Sequence, residues 1–374
     1  MFVVKKIFDI IGLFIVAIKV KDKKGDKNLS KNNLLGMDIQ ELNRVVKNYR
    51  QPKYRGKQLF QWIYKGINSI DEITNLPNDF KEKLDKEYYI FRLKIVEKYQ
   101  GIDGRTIKLL FALEDDNIIE SVVMKYNYGN TICISTQVGC RMGCSFCAST
   151  LDGKTRNLSA GEMLDQVLKA QEVIGERISN IVLMGSGEPL DNMEEVLKFL
   201  HLVNHPDSLN IGQRHITLST CGLVPEIIQL ADENLQINLS ISLHASNDIQ
   251  RMEIMPIAKK YKLDELMKAC QYYIKKTNRR ITFEYALIHD KNDQIRDAEI
   301  LGSLLKGLLC HVNLIPINPI KERDFQQSTK GQIQVFKEKL ESFKIPTTIR
   351  KEMGSNINAA CGQLRKGYLD SMKK

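Results

Sequence analysis

The sequence has no apolar run long enough to cross a membrane. Its one approach to such a run, residues 7–18, is broken by Asp9 and falls short of the roughly 20 residues a spanning helix needs. No small-residue cleavage pattern of the A-x-A kind follows it, so it is a poor secretory signal, and a weak interfacial helix is the minor alternative. Histidine is scarce, six residues in 374, and none lies near the cysteines described below, which argues against zinc sites that mix the two ligands. Net charge is missing from most of the chain. The formal charge is +10, but residues 1–60 hold 14 Lys and Arg against 5 Asp and Glu, while the remainder holds 41 against 40. A basic appendage on a near-neutral body suits a polyanionic partner, most simply nucleic acid, with a solvated basic surface as the plain alternative. What is present is otherwise ordinary: 43% hydrophobic and 27% charged residues, enough for one large domain and a smaller one.

The most informative segment is Cys140-Arg141-Met142-Gly143-Cys144-Ser145-Phe146-Cys147, a C-x3-C-x2-C pattern. Three thiolates on one tight loop can hold three corners of a cubane [4Fe–4S] cluster, which takes four ligands when fully coordinated by protein. A missing fourth ligand leaves one iron open to a substrate or cofactor. The competing reading adds Cys133, seven residues upstream, to make a closed four-thiolate zinc or iron–sulfur site. The spacing is wrong for the usual pair of C-x2-4-C hooks. Eight cysteines with this motif also point to a reducing compartment.

Periodicity divides the rest. Residues 1–36 read as a disordered or dispensable extension, with residues 20–33 lysine-rich and Met37 a start for the folded protein. Residues 37–94 read as a small helical domain: Leu42, Val45 and Val46 give one apolar face, Leu59, Phe60, Trp62 and Ile63 another behind the basic stretch 53–57, and residues 75–84 a third helix. Residues 95–126 change to a period of two and predict a short β-hairpin connection, with strands at 106–111 and 118–123. From 127 to about 350 a strand-then-helix unit recurs six times. The strands fall at 131–136, 181–184, 215–219, 237–243, 281–288 and 312–315, and Ser159 with Glu162 forms a capping box at the first intervening helix. Alternation of this kind predicts an α/β fold with a parallel sheet, and six units make a partial (β/α)6 barrel rather than a closed eight-fold one. A last segment, 351–374, carries Cys361.

Chemistry in such folds sits at the C-terminal strand ends. The cysteine loop falls there. So does Gly185-Ser186-Gly187-Glu188-Pro189, which lacks the third glycine of a dinucleotide fingerprint but lets backbone approach a ligand and offers a carboxylate. Ser219, the run Ser242-Leu243-His244, and Asn318 occupy equivalent places; taken singly, each is as readily a loop residue satisfying backbone groups. Glu120 interrupts an apolar strand, either as an outward residue or as a carboxylate held near a cleft for proton transfer. Cys361, beside Gly362, is either a small buried hydrophobe or a reactive thiol. Cys221, Cys270 and Cys310 read as structural.

Taken together, Ser135-Thr136-Gln137-Val138-Gly139-Cys140, Gly187-Glu188-Pro189, Ser242-Leu243-His244, His311-Val312-Asn313-Leu314-Ile315 and Ala359-Ala360-Cys361-Gly362-Gln363-Leu364 resemble the RlmN family of radical S-adenosylmethionine (SAM) enzymes, over residues 37–365. The resemblance implies a radical SAM barrel and an enzyme that methylates carbon 2 of adenine in 23S rRNA and in tRNA, 3′ of the anticodon. It implies a [4Fe–4S] cluster on Cys140, Cys144 and Cys147, and two SAM molecules per turnover. Gly187, Glu188, Ser219, Ser242, Leu243, His244 and Asn318 would bind SAM. Cys361 would carry the methyl group, Cys133 would resolve the adduct by forming a disulfide with it, and Glu120 would accept the proton. The implied setting is a cytoplasmic monomer with flavodoxin or ferredoxin as electron donor, gripping RNA through its basic helical domain. The rival readings are the related adenine-C8 methyltransferase, a radical SAM enzyme acting on protein, and a metal-stabilised RNA-binding protein without catalysis.

Overall fold

The computed structural model describes residues 31–364, apart from 319, 321, 352, 355, 356 and 361. The folded body begins earlier than Met37. Strand β1 (Asn32–Asn33) pairs in parallel with β2 (Tyr88–Tyr89), and Leu34 is fully buried. A Cβ on Gly36 would sit 2.7 Å from the backbone nitrogen of Gly161, so this turn is pressed against the barrel. The extension expected over 1–36 therefore stops short of residue 32, because Leu34 and Leu35 bury apolar surface that a solvated tail would leave in water. The apolar run at 7–18 and most of the lysine-rich stretch lie outside the described residues.

Between β1 and β2 run α1 (Ile39–Asn48), α2 (Tyr54–Ile63) and α3 (Asn78–Glu87). Asp38 caps α1 by accepting from the Glu41 N–H at 2.7 Å, and Glu41 returns the bond to Asp38 N–H. The α1 face Leu42, Val45 and Val46 meets Leu59, Phe60 and Ile63 of α2 in the core. Trp62 lies at the edge of that core and donates its indole N–H to Asn75. This layer is fastened to the barrel by Arg92, buried, whose guanidinium meets Asp165 at 2.5 Å, Glu172 at 2.6 Å, and the carbonyls of Gly66 and Ile67.

The segment at 95–126 is not a two-stranded connector. Strands β3 (Lys94–Gln100), β4 (Thr106–Ala112) and β5 (Ile118–Tyr126) form an antiparallel meander whose last strand pairs with β6 (Gly129–Cys133). It extends one continuous ten-stranded sheet. The exposed, mixed sequence of β3 conceals it from pattern reading, since only its pairing with β4 makes it a strand. From β6 onward the sheet is parallel: β9 (Ile178–Leu183), β10 (Ile216–Thr220), β11 (Asn238–Ser242), β12 (Ile281–Leu287), β13 (Cys310–Pro316) and β14 (Thr347–Ile349) follow in order. The six expected strands are all present, and β14 adds a seventh parallel strand too short to read. Crossovers between them include α4 (Ala160–Ile174), α5 (Met193–Asn204), α6 (Val224–Asp232), α7 (Asp248–Ile254) with α8 (Leu263–Thr277), α9 (Ile295–Leu305) and α10 (Lys330–Ser342). The two ends of the sheet are β14 and β3, so the barrel is partial. Among the described residues no helix is long and apolar enough to cross a membrane.

The strands alternate in an informative way. Outward residues are apolar and meet the helices: Ile216 and Leu218, Leu239 and Ile241, Ile281 and Phe283, Val312 and Leu314 are all fully buried. The alternating set is polar: Thr217 and Ser219, Ser240 and Ser242, Thr282 and Glu284, His311 and Asn313. This second set borders cavities rather than a packed centre.

Candidate active site

The cysteine loop is positioned by a small hairpin of its own, β7 (Gln137–Gly139) with β8 (Lys154–Asn157). The Cys140 N–H donates to the Gly153 carbonyl, and Thr150 Oγ1 donates to the carbonyls of Cys144 and Cys147 at 3.1 and 2.9 Å. All three cysteines border one cavity at the C-terminal strand ends, with a free volume near 160 Å³. Burial pushes the Cys140 thiol up to about 12 and the Cys144 thiol well above its usual value. Thiols held neutral by desolvation become good ligands once a cation compensates their charge, so the donor set suits a metal centre.

The same cavity collects the expected ligand-binding residues. Gly187 has φ +108, and a Cβ there would lie 2.6 Å from Gln137 Cβ and 2.8 Å from its nitrogen; only glycine lets the turn close. Gln137 in turn accepts the Glu188 N–H at 2.9 Å. The Glu188 carboxylate is buried and accepts from the Cys221 N–H at 2.8 Å and the Leu190 N–H at 3.1 Å; desolvation nevertheless raises its pKa. Ser219 and Ser242 face each other with hydroxyls 3.5 Å apart, and Asn318 completes the rim. His244 is in the left-handed region, φ +57, and its Nδ1 accepts the Ala286 N–H at 2.9 Å. Burial, aided by the Arg251 charge, lowers it to about 3. The ring is therefore neutral, with its remaining proton on Nε2. Leu243 differs from its neighbours: it is fully buried away from the cavity, its N–H donates to the Glu284 carbonyl, and its carbonyl accepts from Arg251. It fixes the strand end rather than lining the pocket.

Cys133 is not beside the trio. It borders a second cavity with Val122, Met124, Ala359, Ala360 and Leu364, which removes it as the fourth arm of a closed site. The two cavities share Met184, Ile315, Asn318 and Arg350. Glu120 is buried on the same strand face as Val122 and pairs with Lys108 at 2.9 Å; Lys108 also donates to the Asn358 carbonyl. Cys361 lies outside the described residues, but Ala360 borders the second cavity and Gly362 the first. The Gly362 carbonyl accepts the Ala148 N–H at 2.7 Å, next to the cysteine loop.

Sequence reasoning missed three residues here. Cys221, read as structural, lines the first cavity with the trio. Glu284 is buried at its floor, accepting from Asn313 at 2.8 Å, and Arg350 stands 4.0 Å from that carboxylate. The signal that could have found Glu284 is its strand, where alternate polar residues sit in a segment whose both faces should be apolar in a filled parallel barrel. The donor set, the glycine cradle at Gly187 and the neutral imidazole together fit a cluster of three-cysteine type with a polar, partly charged ligand beside it.

Comparison with known proteins agrees. The radical SAM superfamily profile matches residues 134–299, and that of the ribosomal RNA large subunit methyltransferase N-terminal domain matches residues 32–90. The "Probable dual-specificity RNA methyltransferase RlmN" of Clostridium tetani is 56% identical over 342 residues, 91% of this chain and 98% of the relative. Its counterpart in Alkaliphilus oremlandii is 57% identical over 344 residues, 92% of this chain and 100% of the relative. A crystal structure of a radical SAM methyltransferase from Sphaerobacter thermophilus superposes with a TM-score of 0.85 at 42% identity, over 90% of this chain and 99% of that one. With full-length identity of this order on a shared fold and a shared cysteine loop, the chain belongs to the RlmN family of the radical SAM superfamily.

Proposed function

We propose that this protein methylates carbon 2 of adenine in 23S rRNA and in tRNA, through a methylated Cys361. One observation carries the reading: the cavity bordered by the cysteine trio and Gly187-Glu188 shares the lining residues Met184, Ile315, Asn318 and Arg350 with the cavity of Cys133, and Gly362 lines the first while Ala360 lines the second. Carbon 2 of adenine is electron-poor and does not attack the methyl of SAM, whereas a cysteine thiolate does. Cys140, Cys144 and Cys147 would hold a [4Fe–4S] cluster, which would supply the one-electron chemistry that turns a second SAM into a hydrogen-abstracting radical; the methyl group on Cys361 would give up one hydrogen atom to it.

The chain's own residues do the rest. Glu188, Ser219, Ser242 and the Nε2–H of His244 orient the cofactor's polar groups. The carbon radical on the Cys361 sulfur adds to carbon 2, forming a carbon–carbon bond between protein and RNA. Glu120, held beside Lys108, would take the ring proton, and the odd electron of the adduct would return to the oxidised cluster, so that the adenine ring regains its aromaticity. Cys133 then attacks the Cys361 sulfur, the sulfur–carbon bond breaks, the methyl group gains its last proton, and a disulfide remains for cytosolic reduction. The target base must leave its stack to reach the site. The electron donor is a flavodoxin or ferredoxin, and the protein works as a cytoplasmic monomer.

The test is nucleoside analysis of unmodified 23S rRNA and tRNA after incubation with anaerobically reconstituted protein, SAM and reductant. The expected product is 2-methyladenosine. Finding 8-methyladenosine would assign the sister activity, and unmodified RNA would overturn the reading. In the same assay Cys361→Ala should cleave SAM without methylating RNA, and Cys133→Ala should accumulate RNA cross-linked to protein.

A further inference from the structure

The cavity of the partial barrel continues past the two described above. A third opening, with a free volume near 740 Å³, shares Met184, Glu284 and Arg350 with the first and widens toward the N-terminal strand ends. A fourth, sharing Val182, Thr217, Asn238 and Arg350 with it, reaches Arg214, Tyr126 and Tyr128. Arg350 thus borders every chamber between the cysteine trio and this mouth.

The charge of the mouth is one-sided. Arg214 precedes β10, and Arg279 and Arg280 precede β12. Among the described residues none of the three has a carboxylate within ion-pairing distance, whereas Arg92 and Arg156 elsewhere each hold two. Arg279 spends one nitrogen on Asn238 Oδ1 at 2.6 Å, and its Nε is buried without a partner. Among the described residues the one acidic side chain bordering these two openings is Glu284, sunk at the inner end. At the rim Tyr126 and Tyr128 stack with ring centroids 4.8 Å apart and planes at 8°, Tyr128 being 72% exposed.

We propose that this mouth is the RNA entrance: Arg214, Arg279 and Arg280 hold backbone phosphates flanking the target, Tyr126 and Tyr128 offer a stacking platform to an unpaired base, and the extruded adenine passes Arg350 to reach the cysteines from the side opposite their loop. The inference rests on the RNA-methylating function above and locates its substrate path. Unpaired cations converging on an aromatic pair match the chemistry of single-stranded RNA, which is bound through phosphates and through the faces of its bases.

The test uses holoenzyme and an unmodified 23S rRNA hairpin transcript, with binding measured against salt and turnover against RNA concentration. Arg279→Ala/Arg280→Ala should weaken binding about tenfold at moderate salt and flatten the logarithmic salt slope by about 1–2, the contribution of two phosphate contacts. KM for RNA should rise more than kcat falls. Arg279→Lys/Arg280→Lys keeps both charges and should retain most of the affinity, with iron content and visible absorption reporting an intact cluster site in each variant. Tyr128→Ala should cost roughly 5- to 100-fold in affinity. Wild-type affinity and slope in the alanine variant would overturn the proposal, as would lysine variants as weak as the alanine ones. Equal loss from Lys53→Glu alone, with none from the arginines, would assign the grip to the helical layer instead. Wild-type protein that binds the hairpin with the expected slope but leaves it unmethylated would sink the functional reading and not the entrance.

Discussion

Two residues at the cavity show how local geometry sets chemistry. Gly187 is a place where a single methyl group does harm. Its Cβ would press on Gln137, and Gln137 is what holds the Glu188 backbone in place. Gly187→Ala should cost about 1–3 kcal/mol in folding stability, from backbone strain at a positive φ together with the clash. The KM for SAM should rise at least about tenfold, as a displacement worth 1.4 kcal/mol or more would produce. Urea titration and SAM-dependent kinetics check both. His244 makes a pH prediction. The unfolded imidazole binds its proton near 6.5 and the folded one only near 3. Between those values the unfolded chain holds more protons, so stability falls as pH drops through that window, by up to about 1.4 kcal/mol per pH unit. His244→Asn, which tolerates the left-handed backbone, should lose less over pH 6.5 to 5 in parallel urea titrations. Equal slopes would mean that the histidine charges in place.

At the scale of elements, the helical layer and the barrel are joined by few polar contacts, and Arg92 is the principal one. It satisfies two carbonyls of the loop after α2 and two carboxylates of α4 at once. Asp165 is so desolvated that its pKa is raised even beside this guanidinium. Arg92→Met should therefore destabilise the protein by about 3–5 kcal/mol, because it strands a buried carboxylate. Arg92→Met/Asp165→Leu should recover much of that loss; calorimetry under anaerobic conditions reads both. The helices and parallel strands were legible because their apolar faces repeat at the right period and Ser159 and Glu162 mark a start. The meander strand β3 and the short β14 were not, since each is a strand through its partner rather than its own sequence. The boundary at Met37 was misplaced for a similar reason: two asparagines carry no strand signal until Tyr88 and Tyr89 are beside them.

For the molecule as a whole, the question is whether the cluster corner facing the cavity is open. Among the described residues Cys221 is the fourth thiol on that cavity wall, in one small apolar cluster with Cys144 and with its N–H committed to Glu188. Cys221→Ser should keep about four irons per chain after anaerobic reconstitution and keep SAM cleavage, whereas Cys144→Ser should lose the cluster. Loss of iron from the Cys221 variant would make the site closed and the radical chemistry untenable. The barrel's openness answers a related need. A filled eight-stranded barrel packs apolar layers at its centre, but this one turns serines, threonines, asparagines and an arginine inward, which leaves room for a nucleotide.

Sequence by itself determined the strand–helix repeat and the cysteine trio, because periodicity and short spacing are local and survive in one dimension. It also named Gly187, Glu188, Ser219, Ser242, His244 and Asn318, since residues that follow strands of a parallel sheet gather at one end wherever they stand in the chain. Only the tertiary structure decided that Leu243 faces the core, that Cys133 opens on a separate chamber, and that Lys108 lies against Glu120. It alone placed Arg214, Arg279 and Arg280 around one mouth. Those relations depend on strand register and on which carboxylates fail to come near, and neither is written in any local stretch of residues.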